Sequence, residues 1–141
     1  MRNSLSKFTV MLMILVLSTG CTSIGGPSAN DDVLAALSAF HAAEVSGDMD
    51  VIMDTYSDDF ADPMGTRKDG VEGFFQMAIG SGALRSLEVD MQDSQLSVDG
   101  DMAVIGPVRY TSGFGPSSYR YTLKKESDGV WRFVNSEMIQ E

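Results

Sequence analysis

The chain has 141 residues, 20 of them acidic against 10 basic, for a formal net charge of −10. Such a balance repels phosphate backbones and anionic headgroups, so nucleic acid is excluded as an expected partner. One cysteine and one histidine exclude an intrachain disulfide and a histidine-rich metal site, and no cofactor motif is present, which leaves the core alone to hold the fold.

Arg2 and Lys7 form a short basic region around the start of the apolar run FTVMLMILVL, Phe8 to Leu17, which is too short to cross a bilayer comfortably. Residues 1–20 therefore read as a secretory signal. The LSTGC that follows resembles the lipobox of bacterial lipoproteins, with one departure: the leucine usual three places before the cysteine is Ser18 here, and Leu17 stands one place further back. The resemblance implies that Cys21 is lipidated, carries palmitate-type acyl chains and becomes the first residue of the mature protein. Thr22 in second place then implies the outer membrane, facing the periplasm, in a cell that has one, and the cell surface otherwise. The small, uncharged TSIGGPSAN gives residues 21–29 the composition of a flexible tether, leaving 30–141 as one folded domain. Losing Arg2 and Lys7 with the signal reduces the 10 basic residues to 8 against 20 acidic, a net of −12. The membrane is then met through lipid only.

NDDVLAALSAFHAAEV predicts a first helix with Asn30 as N-cap, Asp31 and Asp32 at the positive end of the helix dipole, and an apolar stripe of Val33, Leu37, Phe40, Leu34, His41 and Val45. DMDVIMDTYS predicts a short second helix, Asp48 to about Tyr56. In DGVEGFFQMAIGSG, Asp69 three places before Glu72 reads as a capping box that opens a third helix ending at Gly80 and Gly82. Beyond it the apolar period changes from helical to alternating, as at Leu87, Val89 and Met91 and at Tyr119, Tyr121 and Leu123. Turns are expected at Asp99-Gly100, in GFGPS and in ESDG, and Pro107 requires its strand to be an edge or bulged there. Three helices followed by four antiparallel strands give an α+β domain with helices on one face of a strongly bent sheet and a pocket between them.

SGDMDVIMDTYSDDFADPMG (Ser46 to Gly65), KDGVEGFF and the closing LKKESDGVWRFVNSE (Leu123 to Glu137) resemble the nuclear transport factor 2-like superfamily. That group includes ketosteroid isomerase, scytalone dehydratase and the SnoaL-like polyketide cyclases. The resemblance covers nearly all of residues 30–141 and implies a cone-shaped, cystatin-like fold of three helices on a curved antiparallel sheet. In ketosteroid isomerase the catalytic aspartate lies in a phrase ending Glu-Asp-Pro-x-Gly, and Asp62 in ADPMG matches it, so the resemblance nominates Asp62 as a general base. The tyrosine of the oxyanion hole falls seven places before Gly47, on Phe40, which has no hydroxyl. The late-strand acid falls eight places before Gly129, on Tyr121. A positioned donor contributes about 10²- to 10³-fold in rate, so Tyr121, or His41 beside Phe40, would have to supply it.

The residues themselves leave two readings open. In one, a lipid-anchored module binds a small apolar ligand or a protein, pairing with a second copy through the outer sheet face. In the other, an isomerase- or cyclase-like enzyme uses Asp62 to move a proton and Tyr121 or His41 to polarise a carbonyl, while Phe40, Met53, Tyr56 and Tyr110 hold the substrate. Asp62 before Pro63 is equally an ordinary turn starter. Trp131 and Phe133 read as packing, and Asp54, Asp58 and Asp59 as a solvated helix end, since a calcium loop needs glycine punctuation they lack.

Overall fold

The computed structural model describes residues 28–140, so the expected signal, Cys21 and Thr22 lie outside the described residues. Within them the order is α1 (Ala29–Ser46), α2 (Met49–Asp54), α3 (Lys68–Ser81), β1 (Glu88–Asp90), β2 (Gln95–Asp99), β3 (Met102–Ser112), β4 (Gly115–Lys125) and β5 (Trp131–Met138). The helices therefore precede the sheet, as expected, but the strands among the described residues number five, not four. The difference arises because β1 and β2 both pair antiparallel with β3, β1 along Arg109–Thr111 and β2 along Met102–Gly106. From β3 the sheet continues through β4 to β5.

Two helix starts differ from the expected caps. Ser28, not Asn30, caps α1: its hydroxyl accepts from the Asp31 backbone N–H at 3.2 Å while the Asp31 carboxylate accepts the Ser28 N–H at 3.0 Å. A hydroxyl with an acid three places on satisfies two orphan donors at once, which an isolated asparagine does not. Helix α3 begins after Arg67 without a side-chain cap, and Asp69 bonds the neighbouring Gly70 N–H instead. Asp48 does cap α2, accepting from Val51.

Pro107 lies in a bulge of a central strand. Ile105 pairs with Tyr121 and Val108 with Tyr119, so three steps along β3 match two along β4. The extra residue reverses the inward face: Ala103 and Ile105 are buried before it, Val108 and Tyr110 after it. Without the bulge, strict alternation would turn Tyr110 to the outer face. Gly106 is needed there, because a Cβ would lie 3.0 Å from the Arg120 Cα.

The core is an aromatic cluster between the helices and the sheet. Phe40 of α1 meets Phe133 at 5.0 Å, Tyr56 at 5.8 Å and Phe75 at 6.0 Å between ring centroids, all near edge-to-face, the arrangement that aligns ring edges with π faces. Phe133 and Trp131 are buried in this layer. The segment after α2 is tied to β5 by backbone bonds, Ser57 N–H to Phe133 O at 3.0 Å and Ala61 N–H to Val134 O at 3.1 Å. Asn135 adds a side-chain bond to Ala61 O at 2.7 Å. Arg132 anchors the end of α2 by bonding Asp54, and also reaches Glu126 and Asp128 in the β4–β5 turn.

Candidate functional site

Between the helices and the inner sheet face lies a cavity of about 580 Å³, within the range that holds small ligands. Phe40, Tyr56, Val71, Phe75, Leu84, Tyr110, Tyr119 and Tyr121 form its walls. Phe74 and Phe114, 45% and 54% exposed with ring centroids 6.0 Å apart, stand at its outer side. Of the residues expected to hold a ligand, Phe40, Tyr56 and Tyr110 line this space. Met53 does not: it faces a separate groove with Met49, Asp58, Lys68 and Glu72, because α2 presents Ile52 inward and leaves Met53 half-buried.

Asp62 borders the cavity with its carboxylate already engaged. One oxygen accepts backbone N–H groups from Met64 at 2.9 Å and Thr66 at 2.7 Å, and the Gly65 N–H bonds the Asp62 carbonyl at 3.0 Å. Partial desolvation raises its pKa, and the bonds from Thr66, Met64 and Gly65 outweigh that, so it lies below the usual carboxylate value. An aspartate so held is a stabilised anion and a weak base.

Tyr121 and His41 are brought together through Tyr110. His41 Nε2 and the Tyr110 hydroxyl are 2.9 Å apart, and the Tyr110 and Tyr121 hydroxyls 2.8 Å apart. His41 stands outside the cavity wall at the far end of this chain. Burial lowers its pKa to about 4, so at neutral pH it is an uncharged partner. Burial likewise raises the phenols of Tyr110 and Tyr121 well above their ordinary value, keeping both as neutral hydroxyls. The reach of Tyr110 into the cavity depends on the Pro107 bulge that turns it inward.

The residue that sequence reasoning missed is Glu44. It lies one helical turn beyond Phe40 on α1, is 6% exposed and lines the cavity. Its Oε2 has no hydrogen-bond partner; among the described residues only Trp131 Nε1 shares that condition as a buried side-chain polar atom, and Trp131 is not on the cavity wall. Burial pushes its pKa up to about 8. Its charge also raises the pKa of Tyr56, Tyr110, Tyr119 and Tyr121, so the carboxyl sits within electrostatic reach of four phenols. A signal was present in the sequence: Leu37, Phe40 and Glu44 follow helical spacing, which sets a carboxylate on the inward stripe.

No protein family's sequence model matches the chain, and no curated protein matches it. Solved structures do. A nuclear transport factor 2-like protein from Cytophaga hutchinsonii aligns with TM-score 0.62 at 17% identity, over 81% of this chain and 99% of its own. The fold is that of the nuclear transport factor 2-like proteins. A protein of unknown function with a cystatin-like fold from Nostoc punctiforme aligns with TM-score 0.61 at 13% identity, over 81% of this chain and 93% of its own. A Shewanella frigidimarina protein provisionally assigned as a ketosteroid isomerase aligns with TM-score 0.59 at 17% identity, over 74% and 92%. At these identities the likeness carries architecture, and the function must be argued from the site.

Proposed function

We propose that this chain is an exported, lipid-anchored binding module of nuclear transport factor 2-like fold that takes up a small, largely apolar ligand in its aromatic cavity. The observation that carries the reading is the cavity of about 580 Å³ itself, walled by aromatic rings, with the Glu44 carboxyl and the tyrosine hydroxyls among its polar groups. Apolar walls supply affinity through buried area, and a few placed polar groups supply orientation. Attachment through lipidated Cys21, a periplasmic or surface location and pairing of two copies through the outer sheet face belong to the same proposal and rest on the sequence. Among the described residues no helix is long and apolar enough to cross a membrane.

Isomerase-type chemistry through Asp62 receives less support. Its carboxylate accepts two backbone N–H groups, and Phe40 brings a ring where that chemistry needs a hydroxyl.

A neutral environment-sensitive fluorophore such as N-phenylnaphthylamine tests the binding reading. Saturable one-site enhancement is expected with the protein, and its loss in Leu87→Trp, which fills the cavity from a lining position. Absence of saturable binding in both, with folding verified by circular dichroism, would remove the reading.

A further inference from the structure

The charges facing the cavity are all of one sign. Its lining contains two carboxyls, Glu44 and Asp62, and no lysine, arginine or histidine side chain. The nearest histidine, His41, is occupied by Tyr110. Glu44 is 6% exposed, and its Oε2 is buried with no hydrogen-bond partner in the protein. A buried carboxyl without a partner is unfavourable for folding alone, so its position is explained best by a partner that arrives with the ligand.

Three kinds of group can satisfy such an oxygen: an anion, a neutral donor or a cation. An anion would face the ionised Asp62 and the field of a chain of net charge −10, and it could not pair with a carboxylate at Glu44. A neutral donor would pair with the carboxyl and bury apolar area against the walls, without the added strength of a charge-assisted bond. A cation gains a charge-assisted bond to the carboxylate, and the rings of Phe40, Tyr56, Phe75, Tyr110 and Tyr119 that line the cavity are groups that attract positive charge, most strongly when desolvated. Resting on the binding reading above, we infer that the ligand is a hydrophobic amine: an organic cation whose apolar body fills the aromatic chamber and whose ammonium head pairs with the Glu44 carboxylate. The domain's negative field draws such a ligand in from solution, and Asp62 on the cavity border carries the same sign.

Binding is coupled to a proton. Free Glu44 is held largely protonated at neutral pH by burial among Phe40 on its own helix, Tyr56 after α2, Tyr110 on β3 and Tyr119 and Tyr121 on β4. When the ammonium docks, the carboxyl O–H proton leaves to solvent and the resulting carboxylate accepts from the ammonium N–H. The ligand's own charge is unchanged. Near pH 7 roughly one proton is released per amine bound.

The test compares phenylbutylamine, phenylbutanol and phenylbutyrate, probes of similar size and different charge, by calorimetry on wild type and Glu44→Gln. In wild type the amine is expected to bind at least ~10-fold more tightly than the alcohol, with the butyrate weakest. Its heat should vary with buffer ionisation enthalpy, as proton release requires. In Glu44→Gln the preference for amine should collapse to within ~3-fold and the buffer dependence vanish, with the alcohol little changed. An alcohol or butyrate that binds as tightly as the amine in wild type overturns the inference while leaving the ligand-binding reading intact. So does a preference for amine that survives Glu44→Gln. If none of the three probes binds and the neutral fluorophore also fails, both fall together.

Discussion

Two carboxyls border one cavity and behave in opposite ways. Asp62, in the 62–66 turn, accepts backbone N–H groups from Met64 and Thr66 and is more acidic than usual. Glu44, on the inward stripe of α1, has an oxygen without a donor and titrates near 8. The two side chains carry the same functional group, so the environment makes the difference. Donated N–H groups favour the anion, and an apolar wall favours the acid. The turn thus uses its carboxyl for architecture, whereas the helix keeps one in a state that only an incoming partner can satisfy.

The largest effect expected on this contrast comes from Phe40, the buried ring one turn before Glu44 on the inward face of α1. Phe40→Ala should destabilise by about 3–5 kcal/mol, seen as a lower denaturant midpoint, and the Glu44 pKa should fall as water enters. A Glu44 pKa that stays near 8 in this variant would mean that burial by Phe40 is not the cause.

Next in size is Glu44→Gln. A carboxyl whose folded pKa is raised contributes stability fully present below its unfolded value of 4.5 and lost as pH rises through about 8. The variant should therefore match wild type near pH 4.5 and exceed it by about 4 kcal/mol at pH 8. Greater stability together with weaker amine binding is the pattern of a residue kept for function. Equal stability at both pH values would show that Glu44 is ionised in the free protein.

Tyr110→Phe is a smaller perturbation. It removes the hydroxyl that joins His41 to Tyr121, and thermal unfolding should show a loss of about 1–2 kcal/mol. His41 contributes the opposite pH slope to Glu44. Its pKa is depressed from 6.5 to about 4, so stability present above 6.5 is lost as pH falls through 4, and a His41→Gln variant should lose that acid-side slope.

The smallest effect is expected at the turn. Asp62→Ala should reduce stability by about 0.5–1 kcal/mol, leave the slope between pH 5 and 8 unchanged and weaken amine binding by no more than ~2-fold, the loss of one screened border charge. A large loss of binding in this variant would return Asp62 to the site.

The α+β arrangement was legible because apolar spacing changes so clearly after Gly82, from helical in Val71, Phe75 and Ala78 to alternating in Leu87, Val89 and Met91. The resemblance carried by SGDMDVIMDTYSDDFADPMG pointed to the fold that the solved structures share. Strand number was harder, since β1 has only three residues and short strands leave little pattern. Pro107 announced a bulge or an edge, but only the pairing of Val108 with Tyr119 shows that the bulge turns Tyr110 inward. At the site, Phe40, Tyr56, Tyr110 and Tyr121 were legible as inward aromatics. Met53 was not separable from them, because a six-residue helix has too few turns to define a face. Asp62 drew attention through its motif, while Glu44 lies in AAEV, a phrase with no motif at all. What singles Glu44 out is burial without a partner, a property of packing rather than of local sequence. Its α1 neighbours Leu34 and Val45 are 42% and 51% exposed, so the stripe that includes them and omits Glu44 is rotated away from the true inward face.

The central claim is that Glu44 waits protonated in the cavity for a cationic partner. Carbon-13 NMR of its side-chain carboxyl, titrated from pH 4 to 10 with and without phenylbutylamine, tests this directly. The structure predicts a midpoint near 8 in the free protein, moving down by at least ~2 units when the amine is bound. A midpoint near 4.5 in the free protein, or one that the amine does not move, would contradict it.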